Sequence, residues 1–269
     1  MAILEVFGYL SALVIGIALG LIGGGGSILA VPALAYLFSI NEKAATAYSL
    51  FIVGSSALLG GIKQHFKGYV DWRTAAFFGL PAMIGVTVVR HYIVPVLPEV
   101  FFSLGAFEFT RRMAMFGLFA LLMFPAAYSM LKDQSLTPKS SNGSIRYNYP
   151  LILLEGLVVG GITGLIGAGG GFLIIPALVI LAKVEMKVAV GTSLMIIAFK
   201  SLIGFFLGDA LTMTVDWVFL SVFTAISFAG IFIGSYMSNF IDGHKLKKSF
   251  GYFIYLMAIF IFVMEFVVK

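Results

Sequence analysis

The stretch "LIGGGGSILAVPAL", residues 21–34, places four consecutive glycines inside an apolar segment. Glycine weakens a helix interior by about 0.5–1 kcal/mol relative to alanine, so four in a row predict a break. The pattern returns. "LIGAGGGFLIIPAL", residues 165–178, matches the first stretch at 9 of 14 positions with an offset of 144. That offset also pairs Gly16 with Gly160, Gly20 with Gly164, and Ser49-Leu50 with Ser193-Leu194. An offset of 145 pairs the "VDW" ending at Trp72 with the "VDW" ending at Trp217. A single indel over this length points to a duplicated unit.

The surroundings of both copies are those of a membrane protein. The chain has 269 residues, of which 61% are hydrophobic and 11% charged, with a mean hydropathy of +1.07. A water-soluble core could not hide that much apolar surface, whereas lipid solvates it. The apolar runs are continuous rather than alternating, which predicts helices and excludes an outer-membrane barrel. They fall at 2–21, 27–40, 44–62, 72–92, 113–131, 151–166, 171–182, 188–207, 217–237 and 249–266. Two of them, 27–40 and 171–182, are too short to span a bilayer core of about 20 helical residues, and each follows a glycine cluster. Glu5, the lack of a basic residue ahead of the first run, and the lack of an A-x-A site argue against a secretory signal. Cysteine is absent, which excludes disulfides, thiolate metal sites and cysteine nucleophiles. The net charge of +5 sits in loops and implies no nucleic-acid partner.

The polar stretch from Lys132 to Pro150 divides the chain into a first transmembrane repeat, 1–131, and a second, 151–269. Each half holds five apolar segments, an odd number, so the second repeat is expected to be inverted relative to the first. Eleven loop Lys and Arg residues then lie on one side, and five (Lys43, Arg90, Arg111, Arg112 and Lys269) on the other. The richer side is expected to be cytoplasmic, with both termini extracytoplasmic. Residues 93–112, with two prolines and many aromatics, are expected to lie along the interface as a broken amphipathic piece.

A broken helix survives in lipid only where it is buried in protein or lines a watery cavity. Inverted-repeat transporters place such breaks near the midplane, in corresponding positions of the two halves. Gly23–Ser27 and Gly167–Gly171 correspond in this way, each ahead of a short helix whose free N–H groups suit an anion. Pro32 and Pro176 are expected to start or kink those helices. Neither cluster is a nucleotide loop: no Gly-Lys-[Ser/Thr] follows and no strand precedes. Gly16, Gly20 and Gly24, like Gly156, Gly160 and Gly164, have the spacing of a close helix seam.

Lys200 sits deep inside an apolar segment, where lysine is costly and usually faces protein or a cavity. Ser193 shares its helical face seven residues earlier, and the offset puts Ser49 and Ser56 on the equivalent face. Lys200 is expected to bind substrate, the alternative being a structural lysine that either snorkels or pairs with a carboxylate such as Glu155 or Asp209. His65 and Asp209 match in position and are candidates for proton coupling. His, Asp and Glu show no metal-ligand spacing and no catalytic triad stands out, so neither a metal, a cofactor nor an enzyme is expected.

The duplicated glycine motifs, "GTSL" at 191–194 and "VDW" ahead of segments four and nine resemble the TauE/SafE family of sulfite and organosulfonate exporters in the bacterial inner membrane. The resemblance covers essentially the whole chain. It implies export of a small sulfur oxyanion or a sulfonated or carboxylated relative. By motif match it marks Gly23, Gly25, Gly26 and Ser27, and Gly167, Gly169, Gly170 and Gly171, as backbone donors, though Ala168 and Gly171 replace Gly24 and Ser27 in the second copy. Ser49, Ser193 and Lys200 complete the expected site on physical grounds. The expected molecule is an all-α integral membrane protein with two inverted-topology repeats and a glycine-broken hairpin in each. It is read as a secondary transporter of a small anion. An anion channel and a non-transporting assembly subunit are the alternatives, and the oligomeric state is open.

Overall fold

The computed structural model describes residues 2–104, 107–132, 149–167, 169–180 and 184–267. Ten α-helices carry these residues. The first half holds α1 (Ala2–Ile22), α2 (Gly25–Leu37), α3 (Glu42–Phe66), α4 (Trp72–Val88) and α5 (Arg111–Leu131). The second holds α6 (Tyr149–Ile166), α7 (Gly171–Ile180), α8 (Met186–Gly204), α9 (Trp217–Met237) and α10 (Gly243–Phe266). Counting the turns that extend α4, α8 and α9, six of the described helices are long and apolar enough to cross a membrane. This is an all-α integral membrane protein. The polar linker lies almost wholly outside the described residues.

Both breaks fall at the glycines, but they are tighter than the motif suggests. Gly23 takes φ +77° and Gly24 caps α2, so Gly25, Gly26 and Ser27 form its first turn. One left-handed residue reverses the chain, and a helix can start at once because first-turn N–H groups need no helical partner. Gly167 (φ +74°), Gly169 (+62°) and Gly170 (+76°) make the longer second break. Pro32 and Pro176 lie inside α2 and α7 rather than at their starts. The "VDW" aspartates have a local role: the Asp71 and Asp216 carboxylates accept from Arg73 N and Phe219 N at 3.0 Å, capping α4 and α9.

Residues 93–112 depart from expectation. After a π-helical turn (Val89–Ile93) and a 3-10 turn (Val94–Val96) that extend α4, the chain forms an antiparallel hairpin of β1 (Val100–Leu104) and β2 (Phe107–Thr110). Pro95 and Pro98 deny a helix its N–H groups, and the aromatic and β-branched residues beyond them favour strands.

The helices pack reciprocally. α1 lies along α9 as α6 lies along α4; α2 meets α3 and α10 as α7 meets α8 and α5; α3 pairs with α8 and α5 with α10. Small-residue seams join the longest pairs. A Cβ on Gly16 would sit 2.9 Å from Gly230 Cα, and one on Gly164 would sit 3.0 Å from Val86 Cα, so these backbones touch. Phe119, Phe172, Phe205, Phe223 and Phe250 fill the interior, while Leu80, Ile84, Leu121, Val218 and Leu256 face outward, where lipid takes the place of a core.

Candidate functional site at the crossing of the glycine turns

The two breaks meet. A Cβ on Gly24 would lie 2.6 Å from Gly171 Cα, so the starts of α2 and α7 cross with no room for a methyl group. Each turn also rests on the opposite half. Gly23 packs against Val190 and Ser193 of α8, its Cβ position 3.0 Å from Ser193 Oγ, and Gly167 packs against Thr46 of α3. Helix geometry leaves the N–H groups of Gly25, Gly26 and Gly171 at the open ends of α2 and α7.

Polar side chains surround the turns unequally. Ser27 is turned back on its own helix: its N–H and Oγ both donate to Gly24 O, at 3.3 and 2.6 Å. Ser193 Oγ donates to Val190 O at 2.9 Å, and Ser56 is diverted to Ser227 Oγ of α9 at 2.9 Å. Ser49 is fully buried and its hydroxyl has no hydrogen-bond partner. The first turn therefore has Ser27, Ser193 and backbone around it, whereas Ser49 lies on α3 between Thr46 and Val53, which pack against Gly167 and Gly169 of the second turn.

The second turn has cations. Lys200 is fully buried on α8, and its Nζ donates to Thr163 Oγ1 of α6. A Cβ on Gly170 would lie 2.7 Å from that Nζ, so the ammonium touches the turn. Neither Glu155 nor Asp209 pairs with it, and among the described residues no carboxylate does. Asp209 instead pairs with Arg90. Arg90 sits in the π-helical turn that continues α4, fully buried, and its Nη1 donates to Asp209 Oδ1 and Thr46 Oγ1, each at 3.1 Å. The position a Cβ on Gly167 would take is 2.6 Å from Arg90 Nη2.

Arg90 is therefore not a loop cation. The hydrophobic helix runs on to Val96, 25 residues in all, so Arg90 stays inside it. Its uninterrupted flanks "TVV" and "YIVPV" were the available signal. Thr46 and Thr163 were missed because threonine in an apolar helix is unremarkable until its neighbours are known.

His65 and Asp209 are far apart. Thr46 stands beside the Arg90–Asp209 pair, and His65 is 19 residues further along α3, about 28 Å at 1.5 Å per residue. His65 is exposed and its Nδ1 accepts from Trp72 Nε1 at 3.1 Å. Nearby, Lys67 donates to Asn239 Oδ1 at 2.7 Å; partial burial and the charges of Lys63 and Lys187 hold its ammonium below the ordinary lysine value. A separate cluster clamps the end of α2: Arg112 bonds the fully buried Glu265 at 2.9 Å, and Tyr36 donates to the same carboxylate at 3.0 Å.

Comparison with known proteins follows the same outline. The family model described as "Sulfite exporter TauE/SafE" matches residues 9–261. The chain belongs to the TauE/SafE family. A Xylella fastidiosa protein named "Probable membrane transporter protein" is 30% identical over 251 residues, covering 92% of this chain and 90% of that one. The Bacillus subtilis "Probable membrane transporter protein YunE" is 30% identical over 219 residues, 71% of this chain and 73% of its own. The Methanocaldococcus jannaschii "Probable membrane transporter protein MJ0441" is 36% identical over 117 residues, 41% of this chain and 43% of its own. No solved structure matches. The protein is thus a member of a membrane-transporter family.

Proposed function

We propose that this protein is a secondary transporter of a small anion, a sulfite, an organosulfonate or a related oxyanion or carboxylate, bound where the glycine turns cross. One observation carries the reading: Lys200, buried in an apolar helix, touches the Gly170 turn and has a threonine hydroxyl in place of a carboxylate partner. A buried cation is expensive unless it is compensated, and an anionic ligand compensates it. The N–H groups at the start of α7 add donors and the positive end of a helix dipole. Ser49 supplies a further unpartnered donor on the opposing α3.

The close contact of Gly24 with Gly171 closes the crossing in this conformation, which favours a carrier that must move over a continuously open channel. The reciprocal packing of the halves supports two inverted repeats rocking against each other about the turns. The basic loops are assigned to the cytoplasm, which puts both termini outside, in a bacterial or archaeal inner membrane. Of the two candidates for proton coupling, Asp209 is seated beside the turn and His65 is not.

The test is flux in vesicles reconstituted with the full chain and loaded with sulfite, sulfate, thiosulfate, taurine, sulfoacetate or acetate. Saturable flux of one class with counterflow is expected. Ohmic current would refute the carrier mechanism, and absence of flux for every anion would refute the function.

A further inference from the structure

The mode of contact between Arg90 and Asp209 is unusual for a buried pair. Guanidinium and carboxylate commonly meet edge to edge through two parallel hydrogen bonds. Here the carboxylate engages only Nη1, which it shares with Thr46. Arg90 Nε and Nη2 and Asp209 Oδ2 are all buried without a hydrogen-bond partner. Nε and Nη2 form the edge of the guanidinium that grips oxyanions through two oxygens, and Nη2 is directed at the Gly167 end of the α6–α7 turn.

Two further facts bear on this edge. Both partners sit in π-helical turns, Val89–Ile93 for Arg90 and Phe205–Asp209 for Asp209. Such turns are rare and frequently fall at functional sites. The charges around the α6–α7 turn are also unbalanced. Arg90 stands at Gly167 and Lys200 at Gly170, and Asp209 is the carboxylate ion-paired there among the described residues. Glu155 is partly exposed and lies eight residues from Thr163 along α6, about 12 Å away along the axis. One negative charge would balance the three buried side chains Arg90, Lys200 and Asp209.

We propose that the Nε–Nη2 edge of Arg90 is an oxyanion-binding element of the transport site, taking two oxygens of a sulfite, sulfonate, sulfate or carboxylate group while Asp209 and Thr46 hold the guanidinium by Nη1. The inference rests on the transport reading above and deepens it. It gives the site a preference: a bidentate acceptor matches this edge, whereas a halide does not. Thr46 and Asp209 are positioning residues, since they act through Arg90.

The experiment measures flux and thermal stabilisation of the full-length protein by sulfite, methanesulfonate and chloride, in wild type, Arg90→Lys and the double variant Arg90→Met/Asp209→Asn. Arg90→Lys keeps the cation and removes the fork. The double variant removes both charges and leaves no unpaired ion, so it covers the case in which Arg90→Lys does not fold. Each is expected to raise the half-saturating oxyanion concentration tenfold or more and to erase the preference for oxyanion over chloride. Either folded variant that keeps the wild-type half-saturation and preference overturns the proposal. Wild type that transports anions but shows no preference for oxyanion over chloride overturns it too, and leaves the transport reading standing. If wild type transports no anion, the transport reading falls and takes this inference with it.

Discussion

Lys200→Met separates a binding lysine from a structural one. Methionine matches the length of the lysine stem and removes the charge. Insertion scales set a central lysine about 2.5–3.5 kcal/mol above neutral, and the substitution recovers much of that. Against it stands one interhelical hydrogen bond to Thr163, of a kind that averages ~0.6 and reaches ~1.7 kcal/mol in membranes. Thr163 keeps its bond to Gly160 O at 3.2 Å, so its hydroxyl is not orphaned. The balance predicts a variant as stable as wild type or more stable by about 1–3 kcal/mol. Transport should move the other way. Loss of a charge-assisted hydrogen bond of about 1.5–3 kcal/mol raises the half-saturating concentration roughly 10–150-fold. Unfolding of the purified protein in mixed detergent, paired with vesicle flux, reads both quantities. Destabilisation by about 2 kcal/mol or more, beyond what one interhelical hydrogen bond contributes, would mark Lys200 as structural, and unchanged flux in a stable variant would remove it from the site.

Other substitutions test the frame around the site. Gly171→Ala drives a methyl into Gly24 and should cost about 1–3 kcal/mol along with transport. Gly68→Ala, at φ +77° with nothing within 4 Å, should cost only the left-handed backbone, about 1–2 kcal/mol, and leave flux intact; equal losses of flux in the two would contradict the crossing. Glu265→Gln strands Arg112 and should cost up to about 3–5 kcal/mol, so an unchanged melting temperature would show that the clamp on α2 is idle. Asp216→Ala removes the α9 cap and should lower stability by about 0.5–2 kcal/mol without altering which anions protect the protein in a thermal-shift series.

The outline of the protein was legible because its causes are local. Glycine at positive φ, proline in a short helix, and runs of apolar residues each act through their own backbone or through contact with lipid. Gly23 and Gly167 could be read as breaks, and Lys200 as a buried cation. The hairpin at 100–110 departs from the expected broken interfacial piece because the aromatic and β-branched residues that follow Pro95 and Pro98 are strand formers. The role of Arg90 was not legible because its partners, Thr46 and Asp209, lie on other helices far away in the sequence.

By itself, the sequence determined a helical membrane protein with two broken hairpins and one charge too deep for a loop. Only the tertiary structure decided that the turns cross at Gly24 and Gly171, and that the second is flanked by Lys200 and Arg90 while the first is not. It also decided that Asp209 serves Arg90 rather than Lys200. These outcomes depend on residues between 24 and 209 meeting across helices. Which buried charge meets which is set by backbone approach at the glycine seams, where a single methyl group would hold the helices apart.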